Sequence, residues 1–315
     1  MADAIRTDSL SKSFVDFEAV IDVSLRVETN EIYGFLGPNG AGKTTTIMLL
    51  LGLERPTRGV AYLLDSPSHA REFAVRRRLG VLGERQVFFD DMTAREYLRF
   101  FGRLYSVGRI EQRIDVLLER VNLTHAADAR ARDFSRGMQQ KLGLVRALLH
   151  DPELLILDEP VSALDPRGVV EVRELLHSEL GRGKTVFISS HVLTEVEQLA
   201  DRIGIMNKGR LMVEDTLDNI RQALQPETRI QIELAEPDRF PAAALLDLDF
   251  VSRTELRDGR LSVHLKGSAS PEARAGVSRV VSQHGGVIVD MHAEQMTLEQ
   301  AFVTITDEDV ERLAA

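Results

Sequence analysis

Residues 37–44 read Gly37-Pro38-Asn39-Gly40-Ala41-Gly42-Lys43-Thr44. They fit the pattern G-x-x-x-x-G-K-[ST] and stand between an apolar run, Ile32 to Leu36, that predicts a strand and a stretch, Lys43 to Leu51, that predicts a helix. Glycines let the backbone wrap close to phosphates with its N–H groups aimed inward, and the helix N-terminus adds a positive dipole. In this pattern Lys43 reaches the β- and γ-phosphates of a nucleotide such as ATP, and Thr44 offers a hydroxyl to Mg²⁺. Gly37 to Thr44, with Thr45 beside them, form the candidate phosphate-binding set.

Downstream, Leu154-Leu155-Ile156-Leu157-Asp158-Glu159-Pro160 is an apolar strand ending in two adjacent carboxylates, where an open α/β sheet presents its ligand site. Asp158 is the candidate for Mg²⁺ through water. Glu159 is placed to orient or deprotonate the water that attacks the γ-phosphate. Alone, such a turn would be read as an acidic strand end; beside a phosphate loop it predicts a nucleoside triphosphatase.

The rest of the chain bounds the fold. Strands are predicted near Leu25 to Val27, Ile32 to Leu36, Val60 to Leu64, Leu79 to Leu82, Leu154 to Leu157 and Thr185 to Ser189. Helical patterns cover Lys43 to Leu51, Ala94 to Tyr105, Arg109 to Val121, Arg136 to Leu149, Gly168 to Leu180 and Leu193 to Ala200. Alternation of this kind predicts a largely parallel sheet covered by helices. Helices alone fill Asp90 to Leu149, which reads as an inserted helical subdomain over about residues 90–150. Past Gln225-Pro226-Glu227 the texture changes: β-like Arg229 to Leu234, a hairpin signal at Asp258-Gly259, a helix from Pro271 to Gln283 and β-like Gly286 to Met291. The expected domains are therefore 1–224, carrying every nucleotide motif, and a small α+β domain, 225–315.

Composition narrows the function classes. No apolar run approaches the roughly 18 residues that cross a bilayer. The opening MADAIRTDSL has no basic region followed by an apolar stretch, so no secretory signal is expected. The chain has no cysteine, which removes disulfide and thiolate chemistry, and its formal net charge of −10 argues against a broad nucleic-acid footprint.

The family comes into view at Phe134-Ser135-Arg136-Gly137-Met138-Gln139-Gln140-Lys141, which resembles the signature sequence of ABC-type ATPases. In that family the serine and glycine at a helix N-terminus bind the γ-phosphate of ATP held by the opposite subunit, which gives Ser135 and Gly137 their expected role. A hydroxyl, a glycine N–H and a helix N-terminus suit an anion, and Ser135 can cap its helix at the same time. The resemblance covers Ile5 to Leu224 and assigns further residues. Phe14, in Lys12-Ser13-Phe14, sits where the family stacks an aromatic on adenine, a contact worth about 1–3 kcal/mol by analogy with base stacking elsewhere. Ser162-Ala163-Leu164-Asp165 matches the D-loop, whose Asp165 ties two subunits together, and His191 in Ser189-Ser190-His191 matches the switch histidine at the γ-phosphate.

Departures mark a branch. Arg136 and Met138 replace the commonest glycine and glutamine of the signature. Gly83-Glu84 stands where many members have proline and glutamine, so Glu84, rather than nearby Gln86, is the candidate that senses Mg²⁺ and the permease. Such substitutions occur in the branch that includes drug, antibiotic and sodium exporters whose permeases are separate chains. The ending Thr297-Leu298-Glu299-Gln300-Ala301-Phe302, with Thr304 and Thr306, is similar to the closing motif of their accessory domain; Leu298, Phe302 and Ile305 predict a docked last helix. Tyr97, Phe100, Phe101 and Tyr105 have the spacing of a helical core face.

The resemblance thus implies an α/β fold with a P-loop NTPase core, an inserted helical subdomain and a C-terminal α+β accessory domain. It implies ATP and Mg²⁺ as cofactors, a homodimer or pseudo-symmetric dimer of ATPase subunits, and an ABC permease as partner. The expected location is cytoplasmic, peripheral on the cytoplasmic face of the cell membrane, with no nucleic acid bound. The alternative is a non-transport ABC ATPase acting on nucleic acid or the ribosome. It fits less well: Lys43 and Ser135 are too close in sequence for a long coiled coil between them, and the chain has one cassette rather than two.

Overall fold

The computed structural model describes residues 3–70, 73–84, 86–89, 91–223, 228–236, 240–257, 259–266 and 269–294. The chain forms two compact units, which divide after Leu217. Leu298, Phe302 and Ile305 lie outside the described residues.

In the first unit, β1 (Asp3–Ser13), β2 (Glu18–Val23), β3 (Arg26–Glu28), β4 (Ile32–Leu36), α1 (Lys43–Leu50), β5 (Arg58–Leu63), β6 (Ser66–Pro67), α2 (Phe73–Arg76) and β7 (Leu79–Leu82) come first. Then follow α3 (Ala94–Leu104), α4 (Ile110–Arg120), α5 (Arg136–Leu148), β8 (Leu154–Asp158), α6 (Pro166–Leu180), β9 (Thr185–Ser190), α7 (Leu193–Glu197), β10 (Arg202–Asn207) and β11 (Arg210–Thr216). The central sheet has the order β11-β10-β4-β9-β8-β7 and is parallel except for the β10–β11 hairpin. Strands β4, β8 and β9 are buried along their whole length, as a sheet covered on both faces requires. Being parallel neighbours, β4, β9, β8 and β7 all present their carboxyl ends along one edge. The loops that carry Gly37, His191, Glu159 and Glu84 leave from that edge.

Two expectations need correction. The strands at Leu25 to Val27 and Val60 to Leu64 do not join the parallel sheet; β3 and β5 pair with β1 in a separate antiparallel sheet that also holds β2 and β6. β3 follows β2 closely and returns beside β1, whereas β5 reaches β1 only after β4 and α1, running back from the end of that helix antiparallel to β1. The helix expected over Leu193 to Ala200 stops at Glu197, where Leu199 N–H closes a tighter turn on the Val196 carbonyl at 3.0 Å.

The helical subdomain packs α3, α4 and α5 around Tyr97, Leu98, Ile114, Leu117, Leu142 and Val145, all buried. Thr93 and Glu96 start α3 with a reciprocal capping box. Phe100 departs from the expected core face: it is 44% exposed. The buried positions Ala94, Tyr97, Leu98 and Gly102 centre the inward stripe on the side of the helix away from it, and Phe100 stands nearly perpendicular to Phe89 and Phe101. Ion pairs join this subdomain to the core, Arg120 to the fully buried Glu179 and Arg113 to Asp151.

The second unit holds β12 (Thr228–Leu234), β13 (Val251–Arg257), β14 (Arg260–Leu265), α9 (Pro271–Gln283) and β15 (Ile288–Glu294), preceded by α8 (Leu217–Ala223) at the division. Its sheet is antiparallel, β13-β14-β12-β15. Arg257 pairs with Arg260 across the expected hairpin, and Gly259 takes φ of +76°; Asp258 lies outside the described residues. Alternate residues Ile230, Ile232, Leu261 and Val263 meet Val277 and Val281 of α9 in a separate apolar core.

Candidate active site

The loop between β4 and α1 is fixed by two close approaches. A Cβ on Gly37 would stand 2.5 Å from the Met206 carbonyl oxygen, and one on Gly42, at φ +105°, would stand 2.4 Å from that of Ala19. Only glycine fits either place. The loop borders a cleft of about 700 Å³ lined by Asn39, Gly40, Gly42, Lys43, Thr44 and Thr45. Gly37 and Pro38 hold the lysine instead: Lys43 Nζ donates to their carbonyls at 2.6 and 3.3 Å. Ala41 is buried and its N–H closes a turn on Pro38. Burial pushes the Lys43 ammonium below the usual lysine range, opposed by the charges of Glu159, Asp158 and Glu84.

The carboxylates come from the end of β8. Asp158 is buried, accepts from Thr44 Oγ1 at 3.2 Å through Oδ2, and accepts from Ser189 Oγ through Oδ1. Glu159 follows at φ +51°, a left-handed turn that swings its side chain out over the cleft. Its N–H donates to Ser189 Oγ at 3.1 Å, and its carbonyl accepts from Gln140 Nε2 at 2.9 Å and Ser162 Oγ at 3.2 Å. Its carboxylate lies 2.9 Å from His191 Nδ1 and 3.9 Å from Lys43 Nζ. An acid, an imidazole and an ammonium thus face one space, which suits in-line attack on a terminal phosphate.

Glu84 also lines this cleft. Gln86 turns the other way: its amide nitrogen donates to the Gly83 carbonyl, and its oxygen lies against the backbone of Gly143 on α5. The aromatic facing the cleft is Phe17. Phe14 stacks behind it, 5.3 Å between centroids and 28° between planes, with the Lys12 ammonium 4.9 Å from its ring. Ser135, Gly137 and Asp165 are not among the described residues lining the cleft. Ser135 caps α5, accepting from Met138 N–H at 3.2 Å; Asp165 caps α6, accepting from Gly168 N–H at 2.8 Å. Sequence reasoning missed Phe17, Glu18, Ala19, Lys208 and Gly209 in the lining, named Ser162 there only as part of the D-loop, and missed the role of Gln140 behind Glu159. Lys208 and Gly209 arrive because Gly209 N–H bonds the Ala41 carbonyl at 3.0 Å, docking the β10–β11 turn on the phosphate loop.

The converging oxygens of Thr44 and Asp158 fit Mg²⁺, a hard cation. Among the described residues no group of three His, Cys, Asp or Glu could hold a metal, so a cation here would share the oxygens of a nucleotide and water.

A phosphate loop at the carboxyl edge of a parallel sheet, with an acid at the end of β8, one strand beyond the neighbouring β9, defines a P-loop NTPase. Residues 20–162 match the ABC transporter family. Across 310 residues, 97% of this chain and 98% of the relative, it is 36% identical to the bacitracin transport ATP-binding protein BcrA of Bacillus licheniformis. It is likewise 36% identical to the daunorubicin resistance ATP-binding protein DrrA3 of Streptomyces coeruleorubidus over 312 residues, 98% of each chain. A solved ATP-binding subunit of an ABC transporter superposes with a TM-score of 0.66 at 30% identity, over 70% of this chain and 92% of that one. The chain belongs to the ATP-binding proteins of ABC transporters: it binds ATP and is an ATPase.

Proposed function

We propose that this chain works as a two-fold dimer, two copies or a pseudo-symmetric pair, closing head to tail around two ATP molecules to drive export through a separate permease. The observation that carries this reading is the separation within one chain. Lys43, Glu159 and His191 share a cleft, whereas Ser135 and Gly137 stand outside it, at an exposed helix start suited to an anion. Each ATP would lie between one subunit's phosphate loop and its partner's signature helix, with Asp165 at the interface.

In the closed dimer Lys43 exchanges its carbonyl contacts for β- and γ-phosphate oxygens. The N–H groups of Asn39, Gly40, Gly42, Lys43, Thr44 and Thr45, which line the cleft, hold the same phosphates, and the Phe14–Phe17 pair supports adenine. Mg²⁺, held by Thr44, Asp158 and Glu84 directly or through water, would neutralise charge on the phosphates. The water oxygen bonds the γ-phosphorus as the bond from that phosphorus to the β–γ bridging oxygen breaks. The water proton passes to the Glu159 carboxylate, and His191 holds the γ-phosphate and the water in line.

Full-length likeness to BcrA and DrrA3, and 41% identity over 213 residues to the Nod factor export ATP-binding protein I of Rhizobium meliloti, support export with a separate permease. No helix among the described residues is long and apolar enough to cross a membrane, which suits a peripheral subunit on the cytoplasmic face. We propose that residues 1–224 form the ATP-binding domain, with the helical subdomain at about 90–150, and residues 225–315 the accessory domain. The test is purification of the tagged Glu159→Gln chain from native membranes with ATP and Mg²⁺. Two copies should emerge with a membrane-spanning protein; recovery with ribosomes or nucleic acid instead would overturn the transport reading.

A further inference from the structure

The loop that presents His191 is held by a side chain outside the cleft. Strand β9 ends at Ser190, which is buried, and α7 begins at Leu193, so only His191 and Val192 connect them. Val192 N–H donates to Ser190 Oγ at 3.0 Å, and Ser190 Oγ lies 3.0 Å from Glu195 Oε2 on the first turn of α7. The hydroxyl carries one proton. The Val192 carbonyl, at 3.2 Å, competes for it with the nearer carboxylate, which is the stronger acceptor. The result is a directed chain, Val192 N–H to Ser190 Oγ–H to Glu195, that ties residues 190 and 195 together and leaves His191 as the exposed apex. That apex places Nδ1 2.9 Å from Glu159.

Glu195 sits at some cost. It is half-buried; burial pushes its carboxyl up, Ser190 opposes, and Glu159 adds further repulsion. A carboxylate there is only partly hydrated, and it is not among the described residues that line the cleft.

We propose that Glu195 is a positioning residue for ATP hydrolysis: by holding Ser190 it fixes His191 against Glu159. The inference rests on the roles proposed above for His191 and Glu159. Its effect belongs to turnover, because neither Ser190 nor Glu195 is among the described residues lining the cleft, whereas a misplaced imidazole no longer aligns water and phosphate.

The experiment measures steady-state ATPase and ADP affinity for Glu195→Ala, Glu195→Gln and Ser190→Ala, alone and in a His191→Ala background. Glu195→Ala and Ser190→Ala should each lower kcat about tenfold, with KM for ATP and ADP affinity within about twofold of wild type. Glu195→Gln should recover most of the loss, since its amide oxygen still accepts from Ser190. In the His191→Ala background neither substitution should lower kcat further, because the residue each acts through is gone. Should Glu195→Ala fail to fold, Ser190→Ala and Glu195→Gln decide the matter alone. Wild-type turnover in Ser190→Ala and Glu195→Ala, equal losses in Gln and Ala, or a further loss in the His191→Ala background would each overturn the proposal. If His191→Ala itself turns over like wild type, the failure lies instead with the role given to the histidine.

Discussion

The phosphate-loop corner and the signature corner of this ATPase differ in how far one chain satisfies them. Around Lys43 the polar groups are bonded within the chain: the ammonium to Gly37 and Pro38, Thr44 and Ser189 to Asp158, His191 to Glu159. At the signature corner Ser135 and Arg136 are exposed, and among the described residues the Ser135 hydroxyl accepts from an N–H of its own helix, that of Met138. A corner already bonded can organise ATP alone. A corner that ends in an exposed cap has its use on another surface, and the difference between them is the structural case for a shared site.

The largest expected effect tests the bonded corner. Glu159→Gln should keep ATP affinity and lower turnover by about 10²- to 10⁴-fold, since an amide holds water without taking its proton. Gel filtration with ATP and Mg²⁺ should then show a lasting dimer; wild-type turnover would remove Glu159 from the base role.

The contrast itself is broken or kept by mixing. Ser135→Arg and Lys43→Ala homodimers should both be inactive, one filling the γ-phosphate site and the other losing the ammonium. A doubly tagged heterodimer of the two regains one complete site, and with it part of the ATPase rate. A wild-type chain paired with one carrying both substitutions spoils one half of each site and should stay inactive. Activity in this control, with none in the mixed single mutants, would place each whole site within one chain.

A smaller effect separates the two rings. Phe17→Ala should raise KM for ATP about fivefold to 150-fold, from the roughly 1–3 kcal/mol of base stacking. Phe14→Ala should act less, through its support of Phe17. Because the chain has no tryptophan, Phe17→Trp supplies a lone emitter. ADP should quench it more than it quenches Phe14→Trp; the reverse order would return the base to Phe14.

Least of all should follow from a change outside both corners. Ile232→Ala in the core of the second unit should cost that unit about 2–5 kcal/mol, read by denaturant unfolding, with ATP binding within about twofold of wild type. A chain ending at Leu224 should likewise stay soluble and bind ATP. Loss of ATP binding in either would refute the independence of the nucleotide core.

What the sequence made legible is what contiguous residues determine. Gly37 to Thr44 must be one stretch because a single loop wraps the phosphates. Asp158 and Glu159 end one strand, and Ser135 starts one helix. Phe17 and Lys208 reach the cleft only because strands far apart in sequence pair, and no local spacing records that. Strand β1 stayed hidden because register shifts near Leu10 and Lys12 break the alternation by which a half-buried strand is recognised. Strands β10 and β11 escaped for opposite reasons, the first almost wholly buried and the second partly exposed at nearly every position.

The contacts of Lys43 with the Gly37 and Pro38 carbonyls bear on how product leaves. On the role proposed for Lys43, departure of the γ-phosphate would take away the ammonium's strongest oxygen partners while leaving it in a buried corner. Two carbonyl oxygens of its own loop are within reach, so it can turn to them without first recruiting water. Part of the binding energy lost with the phosphate would thereby be recovered inside the protein, which would lower the cost of unloading ADP. Replacing the lysine with arginine would disturb this return as well as the chemistry, because a planar fork cannot revisit the same two carbonyls in the geometry that a compact ammonium uses.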